Sequence, residues 1–538
     1  MMKISLAASV AALMAVFPSA AYACGCFAAP NPAVPMVQAG EKIVFAQEGN
    51  TMTAHVQIQY EGDAQEFGWL IPVPSEPNVR LGAEEVFTVL ENATNPAFLY
   101  QQGFAFCDAD DGGGFGCSSD EDAPTNSAQP PPDMPDPVLV KQSTAGPFEF
   151  AVVRADDKAP MLEWLRANRY LVSTGGEDLL DPYIGTGQFF LALKLRSGQS
   201  TGDLQPIVID YESDRPMIPL ILTRLGAVKD LGVLVWILGD ARAVPLNYKN
   251  VRLNEEYIDW VNGATNYADV VARAVDEAEN GHAFVTEYAD TNANIVGVLD
   301  APGRFGRRDE FEQLNDAPRY VQQLQTNGFP MAALRPVFER VFPLPERAVQ
   351  NGIRPDEYYD NLFTSLSTFD PTPAGFDSET LTAEIWERVV EPTIAAGAMF
   401  RRYSFVTRMF TAISPEEMTL DPVFGFNPDL PTITNFTSAT MLQSCGRSDW
   451  DMTLADGRTF TVGSPDEWIT RGTNNAPRTV VIEELGLEGP PTIVVDNRDA
   501  LRNLASRRAA TQQRRAADLF NLVLILGAVV AARRALRT

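Results

Sequence analysis

Thr51-Met-Thr-Ala-His-Val-Gln-Ile-Gln-Tyr60 is the stretch whose reading decides the fold. Met52, Ala54, Val56, Ile58 and Tyr60 fall on one side of an extended chain, and Thr53, His55, Gln57 and Gln59 on the other. A period of two with one apolar side is the signature of a half-buried strand. Upstream, Lys42-Ile-Val-Phe-Ala46 reads as a partner strand, and Glu48-Gly49-Asn50 between them is a hairpin turn. On this reading His55 lies on the polar face as a solvated or hydrogen-bonded surface residue.

Working outward, Phe67-Gly-Trp-Leu-Ile71 predicts a third strand stopped by Pro72 and Pro74, and 82–92 a short helix with Val86, Val89 and Leu90 inward. Segment 148–154 predicts a strand, and Met161 to Leu165 lies in a helix. Segments 188–196, 206–211, 218–222 and 231–238 predict further strands, several with continuous apolar runs that suit burial on both faces. From Asn254 helices dominate. Asn266 is placed to cap a helix carrying Val270, Val271, Ala274, Val275 and Ala278 at the 3.6 period, ending at Gly281. Further helices are expected over 331–341, 356–366 and 379–390, the last ended or kinked by Glu391-Pro392. Strands return over 458–462, 479–483 and 492–495. Runs of strands and helices without regular βαβ alternation predict an α+β fold, with a β-rich N-terminal part, a helical middle and a smaller β-rich C-terminal part.

The two ends describe location. Lys3, the apolar run Ile4 to Phe17 and Ala21-Tyr22-Ala23 form an export signal with a small-x-small cleavage site, so 1–23 is read as a signal peptide. Cleavage there leaves Cys24 first. Ala21 and Tyr22 depart from a lipoprotein signal, which favours ordinary cleavage over lipidation. At the other end, 516–532 is a short, mostly apolar span followed by Arg533, Arg534 and Arg537. That suits a stop-transfer helix with a basic cytoplasmic tail, 533–538. The competing reading is a buried C-terminal helix. The Arg-rich segment 497–515 reads as a juxtamembrane helix suited to anionic lipid heads. Between the ends lie a β-rich region, 24–253, a mainly helical region, 254–415, and a β-rich region, 416–496. The protein is thus expected to be exported and membrane-anchored, its main body in the periplasm or at the cell surface.

A formal net charge of −28 excludes nucleic acid as a natural partner, because phosphates would be repelled. Segment 107–137 is acidic and proline-rich and lacks Lys and Arg, which predicts a disordered, solvated loop. Its Asp108, Asp110 and Asp111 only faintly resemble a calcium loop, since Gly112 takes the third alternating position. Weak calcium binding is the most that loop suggests. The chain has five cysteines. Cys107 and Cys117 bracket the acidic loop as a candidate disulfide, leaving Cys24, Cys26 and Cys445 as structural or redox thiols.

Several blocks carry a family likeness: Cys24-Gly25-Cys26 after the signal; Val56-Gln-Ile-Gln-Tyr60 with Phe67-Gly-Trp-Leu-Ile-Pro-Val-Pro74; Gly281-His-Ala-Phe-Val-Thr-Glu-Tyr288; and the long block from Thr407 to Phe424. In these the chain resembles the bacterial family called domain of unknown function 2330. The resemblance implies an exported, often membrane-tethered protein. It implies no activity and assigns no functional residue.

The residues themselves assemble no catalytic motif. Only His55 and His282 are available for a triad or a zinc site, and no G-x-S-x-G or HExxH accompanies them. His282 follows a helix end and Glu287 follows in a strand. Five positions apart, they point to opposite faces, which disfavours an acid/base pair. No phosphate-binding glycine pattern occurs at a strand–helix junction. Trp69, Phe67 and Pro72-Val-Pro74 suit either a peptide or glycan groove or a core, with the core favoured. No catalytic, cofactor or metal residue is therefore assigned, and no cofactor is expected. The function read from the sequence is an exported, membrane-tethered envelope protein in a non-catalytic binding or structural role, in contact with other envelope proteins. Two alternatives stay open: an extracytoplasmic hydrolase using carboxylates, and a thiol-redox protein using Cys24 and Cys26.

Overall fold

The computed structural model describes residues 37–61, 68–104, 139–154, 156–170, 176–185, 187–196, 204–443, 450–462 and 476–504. The expected signal peptide, the acidic loop, the Arg-rich segment beyond residue 504 and the 516–532 span lie outside these residues. So do Cys24, Cys26, Cys107, Cys117 and Cys445. Among the described residues no helix is long and apolar enough to cross a membrane.

The fold is a mixed α+β structure organised on one large sheet. The predicted hairpin forms: β1 (Val37–Glu48) and β2 (Thr51–Glu61) pair antiparallel, with Gly49 at positive φ in the turn. Around them stand β4 (Asn78–Leu81), β9 (Ile207–Glu212), β10 (Ala227–Gly239), β12 (Lys249–Leu253), β13 (Ala283–Thr291), β14 (Phe405–Ile413), β19 (Thr479–Glu484) and β20 (Thr492–Asp496). Their order is β20-β19-β12-β13-β14-β10-β1-β2-β9-β4. Strands from all three expected regions meet in this sheet, and two of its central members, β13 and β14, come from the mainly helical stretch.

A second sheet lies over one face. It consists of β3 (Gly68–Val73), β6 (Leu139–Ala145), β7 (Phe148–Arg154) and β8 (Phe189–Leu195), in the order β3-β8-β7-β6. The two sheets share a core that includes Ile43, Phe45, Met52, Ala54 and Val56 against Trp69, Ile71, Val152 and Leu191. The apolar side of the opening stretch therefore points where its alternation predicts. Helices cover the other face. Val44, Ala46, Leu234 and Trp236 pack against Val86, Phe87 and Leu90 of the helix Glu84–Thr94, with Leu299 and Phe400. The helical segments between Arg308 and Val390 build a separate core around Phe311, Tyr320, Phe338 and Trp386. A third sheet joins β5 (Ala97–Phe104), β16 (Phe436–Gln443), β17 (Trp450–Leu454) and β18 (Thr459–Val462), in the order β18-β17-β16-β5. A two-stranded ribbon pairs β11 (Arg242–Pro245) with β15 (Phe424–Asn427).

Four local expectations are corrected. His55 is not a surface residue: it is 1% exposed. It pairs with Val44 across β1 and so faces the helix-covered side of the sheet. Alternation reveals an apolar face; it does not reveal whether a helix covers the polar one. Strand β3 runs through Pro72 to Val73 instead of stopping, because it is an edge strand, where a missing N–H is tolerated. The expected strand 218–222 is a short helix, Leu220–Thr223, entered through Pro219, whose ring cannot serve a sheet ladder as donor. The helix Tyr267–Val275 begins where expected, but the Asn266 side chain does not cap it. That side chain instead accepts from the Asp259 N–H and donates to the Tyr257 carbonyl, and the helix ends at Val275, short of Gly281.

Candidate ligand-binding cleft

An open cleft of about 400 Å³ lies between the sheet-and-helix body and the helical part. Its walls come from Ala83, Glu84 and Glu85 at the start of the 84–94 helix, Leu204 and Gln205 leading into β9, the turn and helix around Ala332 to Glu339, and Arg388 with Val389.

One wall is shaped by a proline. The helix Ser378–Ile385 passes into a π turn, Trp386–Val390, and then into the helix Glu391–Phe400. Pro392 has no N–H, so it cannot donate to the carbonyl four residues back, that of Arg388. Gln205 Nε2 donates to that carbonyl instead, at 2.9 Å. The kink expected at Glu391-Pro392 is thus a π turn, and it carries Arg388 and Val389 into the cleft wall. Such turns are frequent at functional sites. The carbonyl requires the amide nitrogen, which fixes the Gln205 amide with Oε1 as its acceptor end. Gln205 Oε1 is buried and has no hydrogen-bond partner among the described residues.

The lining also holds three acids, Glu84, Glu85 and Glu339. Glu85 is ion-paired with Arg304 at 2.5 Å, both largely shielded. Glu339 is held by Arg335 at 2.8 Å, and Arg335 also reaches Asp356 at 2.6 Å. Glu84 is exposed into the cleft and makes no ion pair among the described residues. Burial of its surroundings pushes the Glu84 carboxyl above the ordinary glutamate value, against the lowering effect of Lys42 and Arg388. Glu84 thus faces the cleft, while Gln205 Oε1 is shielded within its wall.

The residues singled out by sequence pattern sit elsewhere. Neither ring nitrogen of His55 has a partner among the described residues. Burial, aided by Arg80 and opposed by Asp210, lowers its pKa to about 3, so the ring is neutral. His282 Nε2 donates to the Glu417 carbonyl at 2.9 Å and lies 3.1 Å from Thr419 Oγ1, with the ring stacked on Tyr248 at 4.8 Å. Glu287 belongs to a different, buried network. The register of β13 against β14 shifts between Thr286 and Tyr288, so Glu287 is the extra residue of a bulge. It binds Arg408 and accepts from the Tyr267 hydroxyl at 2.6 Å. Burial lifts its carboxyl above the usual range, although Arg408 and Tyr267 oppose this. Arg408 in turn donates to Thr94 and Asn95 at the C-terminus of the 84–94 helix, a favourable place for a cation. His282 and Glu287 thus point into separate networks, as the strand geometry predicts. Trp69 is in the core, and the apolar gap beside it, Pro72 and Pro74 is about 60 Å³, too small for a peptide or sugar residue. Phe67 lies outside the described residues. Among the described residues no group of three His, Cys, Asp or Glu is placed to hold a metal ion.

Glu84, Gln205 and Arg388 carry no signal in the sequence as site residues. Pro392 is the one readable clue, through the carbonyl it leaves free.

These features define a layered α+β protein with an open polar cleft at the edge of its helical part. The family model described as "Uncharacterized protein conserved in bacteria (DUF2330)" matches residues 18–298, just over half of the chain, and the protein belongs to that family. The match takes in the blocks at 24–26, 56–60, 67–74 and 281–288; the block at 407–424 lies beyond it. No curated protein matches the chain, and no solved structure does.

Proposed function

We propose that this protein is exported, held at a membrane by 516–532, and works in the cell envelope by binding rather than by catalysis, with the Glu84–Gln205 cleft as its binding site. The export signal and the apolar, arginine-flanked tail support the location. The state of the acids in the cleft supports the binding role. Hydrolysis by paired carboxylates takes two acids free to act across a gap. Here Glu85 and Glu339 are engaged by Arg304 and Arg335, which leaves Glu84 as the unpaired carboxylate of the described lining.

Two experiments test this. Deleting 516–538 releases the protein from the membrane fraction; unchanged fractionation removes the tail anchor from the proposal. Crosslinking in intact envelopes, compared between the native chain and Ala332→Trp, tests the cleft. Ala332 lines the cleft from an exposed turn, so Trp fills it without disturbing the core. Loss of crosslinked species in the variant is expected, and an identical pattern argues against the cleft.

A further inference from the structure

The large sheet ends at β20, Thr492-Ile-Val-Val-Asp496, an edge strand in which every residue is exposed. Ile493, Val494 and Val495 are between 37% and 50% exposed. Open edges are ordinarily charged or covered, because free backbone groups and apolar side chains invite association. This edge is blunted at the backbone only. Pro490 and Pro491 precede it. Its register against β19 shifts between Ile482 and Glu483, which leaves Val494 as the extra residue of a bulge. Both devices oppose the addition of a further strand, and so oppose edge-to-edge pairing with a second copy. What the edge offers a partner is its side chains.

The chain leaves this edge toward its tail along a fixed path. The Asn497 N–H donates to the Val480 carbonyl at 2.9 Å, and Asn497 Nδ2 to the Thr479 carbonyl at 3.0 Å, both on β19. Leu501 is buried. The helical segment 498–504 is thereby held to the body, directly after the exposed strand. Only 505–515 then separate it from the apolar span that begins at 516. At full extension that is about 40 Å, so the strand cannot stand far from a membrane that holds the span.

Charge changes along the same path. The chain carries −28 overall, yet 497–515 holds six arginines against one acid, Asp499. Three acids beside the strand are each ion-paired: Asp496 with Arg498 at 2.5 Å, Asp499 with Arg502 at 2.6 Å, and Glu484 with Lys249. Glu483 and Glu488 make no ion pair among the described residues, and the arginines outnumber them. Exposed apolar side chains beside a basic segment suit the surface of an anionic bilayer, where the former enter the headgroup layer and the latter meets the phosphates.

We propose that β20 seats on the anionic membrane in which the tail is held, as a second contact that fixes the body against the bilayer. This rests on the tail anchor proposed above. The sheet then has β20 at the membrane and its other edge, β4, away from it.

The test is photolabelling of the full chain in vesicles of phosphatidylcholine and phosphatidylglycerol. A small share of the lipid carries a diazirine near the top of its acyl chain, and labelled peptides are mapped by mass spectrometry. Label is expected on 492–496 and on 516–532, and not on β4. Ile493→Asp combined with Val495→Asp is expected to abolish the label at the strand and keep it on the tail. Both positions are exposed, so the fold is expected to survive, which an unchanged thermal midpoint checks; the labelling pattern of the native chain decides the matter by itself if it does not. Label on the tail with none on 492–496 overturns the inference and leaves the tail anchor standing. Label on the strand with none on the tail keeps the strand contact and removes the anchor; label on neither removes both. Undiminished strand label in the folded double variant would contradict a contact made by these side chains. Crosslinks from β20 to β20 between copies, in place of lipid label, would assign the edge to a second copy and equally overturn the proposal.

Discussion

Gln205 Nε2 donates to the carbonyl of Arg388 at 2.9 Å, joining the approach to a sheet strand to a π turn in the helical part. The bond exists because Pro392 leaves that carbonyl without its helical donor. Replacing Gln205 by Ala is expected to destabilise the protein by about 1–2 kcal/mol, the cost of leaving a shielded carbonyl unmet. Denaturant unfolding measures this. A change within error would mean that water serves the carbonyl equally well.

His55 sets an acid limit on the fold. Its ring stays neutral in the native state down to about pH 3, whereas in the unfolded chain it takes up a proton near pH 6.5. Below pH 6.5 the unfolded state binds more protons, so stability falls as pH drops toward 3 and levels off beneath it. The span corresponds to a few kcal/mol, about 4–5 at most. His55→Leu is expected to flatten this part of the stability–pH curve. Parallel curves for variant and native chain across that window would show that His55 is not the buried group responsible.

The Glu287–Arg408 pair is buried between the 84–94 helix and the sheet, each residue 6% exposed. Glu287→Ala strands the guanidinium and is expected to cost about 3–5 kcal/mol. The double change Glu287→Met with Arg408→Met is expected to recover most of that, since removing both charges also removes their desolvation cost. A double variant no more stable than the single one would contradict the assignment.

Gly281 combines a φ of +68° with a position where an added Cβ would lie within van der Waals overlap of the Glu417 carboxylate. Gly281→Ala is expected to destabilise by about 1–2 kcal/mol, seen as a lower thermal midpoint. Gly263, also at positive φ (+65°) but with open space around it, serves as the comparison. Equal effects at the two sites would show that the Glu417 contact adds nothing.

Much of the fold is legible in the sequence because it rests on local pattern. The 42–60 hairpin, β7, β8, β9, β10, β19 and β20 all fall where alternation or apolar runs put them. Strand β14 escapes such a reading, because Arg408 interrupts its apolar run and its counter-charge is Glu287, 121 positions away. The burial of His55 is hidden for a related reason: the helix that covers it is a separate element that strand alternation does not report. The cleft is illegible because it depends on a long-range pairing. Pro392 is visible in the sequence, but which side chain answers the carbonyl it frees is decided only when the approach to β9 and the π turn meet.

Native mass spectrometry of the full chain purified from its own envelopes, beside the cleft-filled Ala332→Trp variant, tests the binding role at its root. A small-molecule adduct is expected on the native chain and not on the variant. An adduct retained by the folded variant, or a native chain that carries none, would contradict the cleft as the binding site.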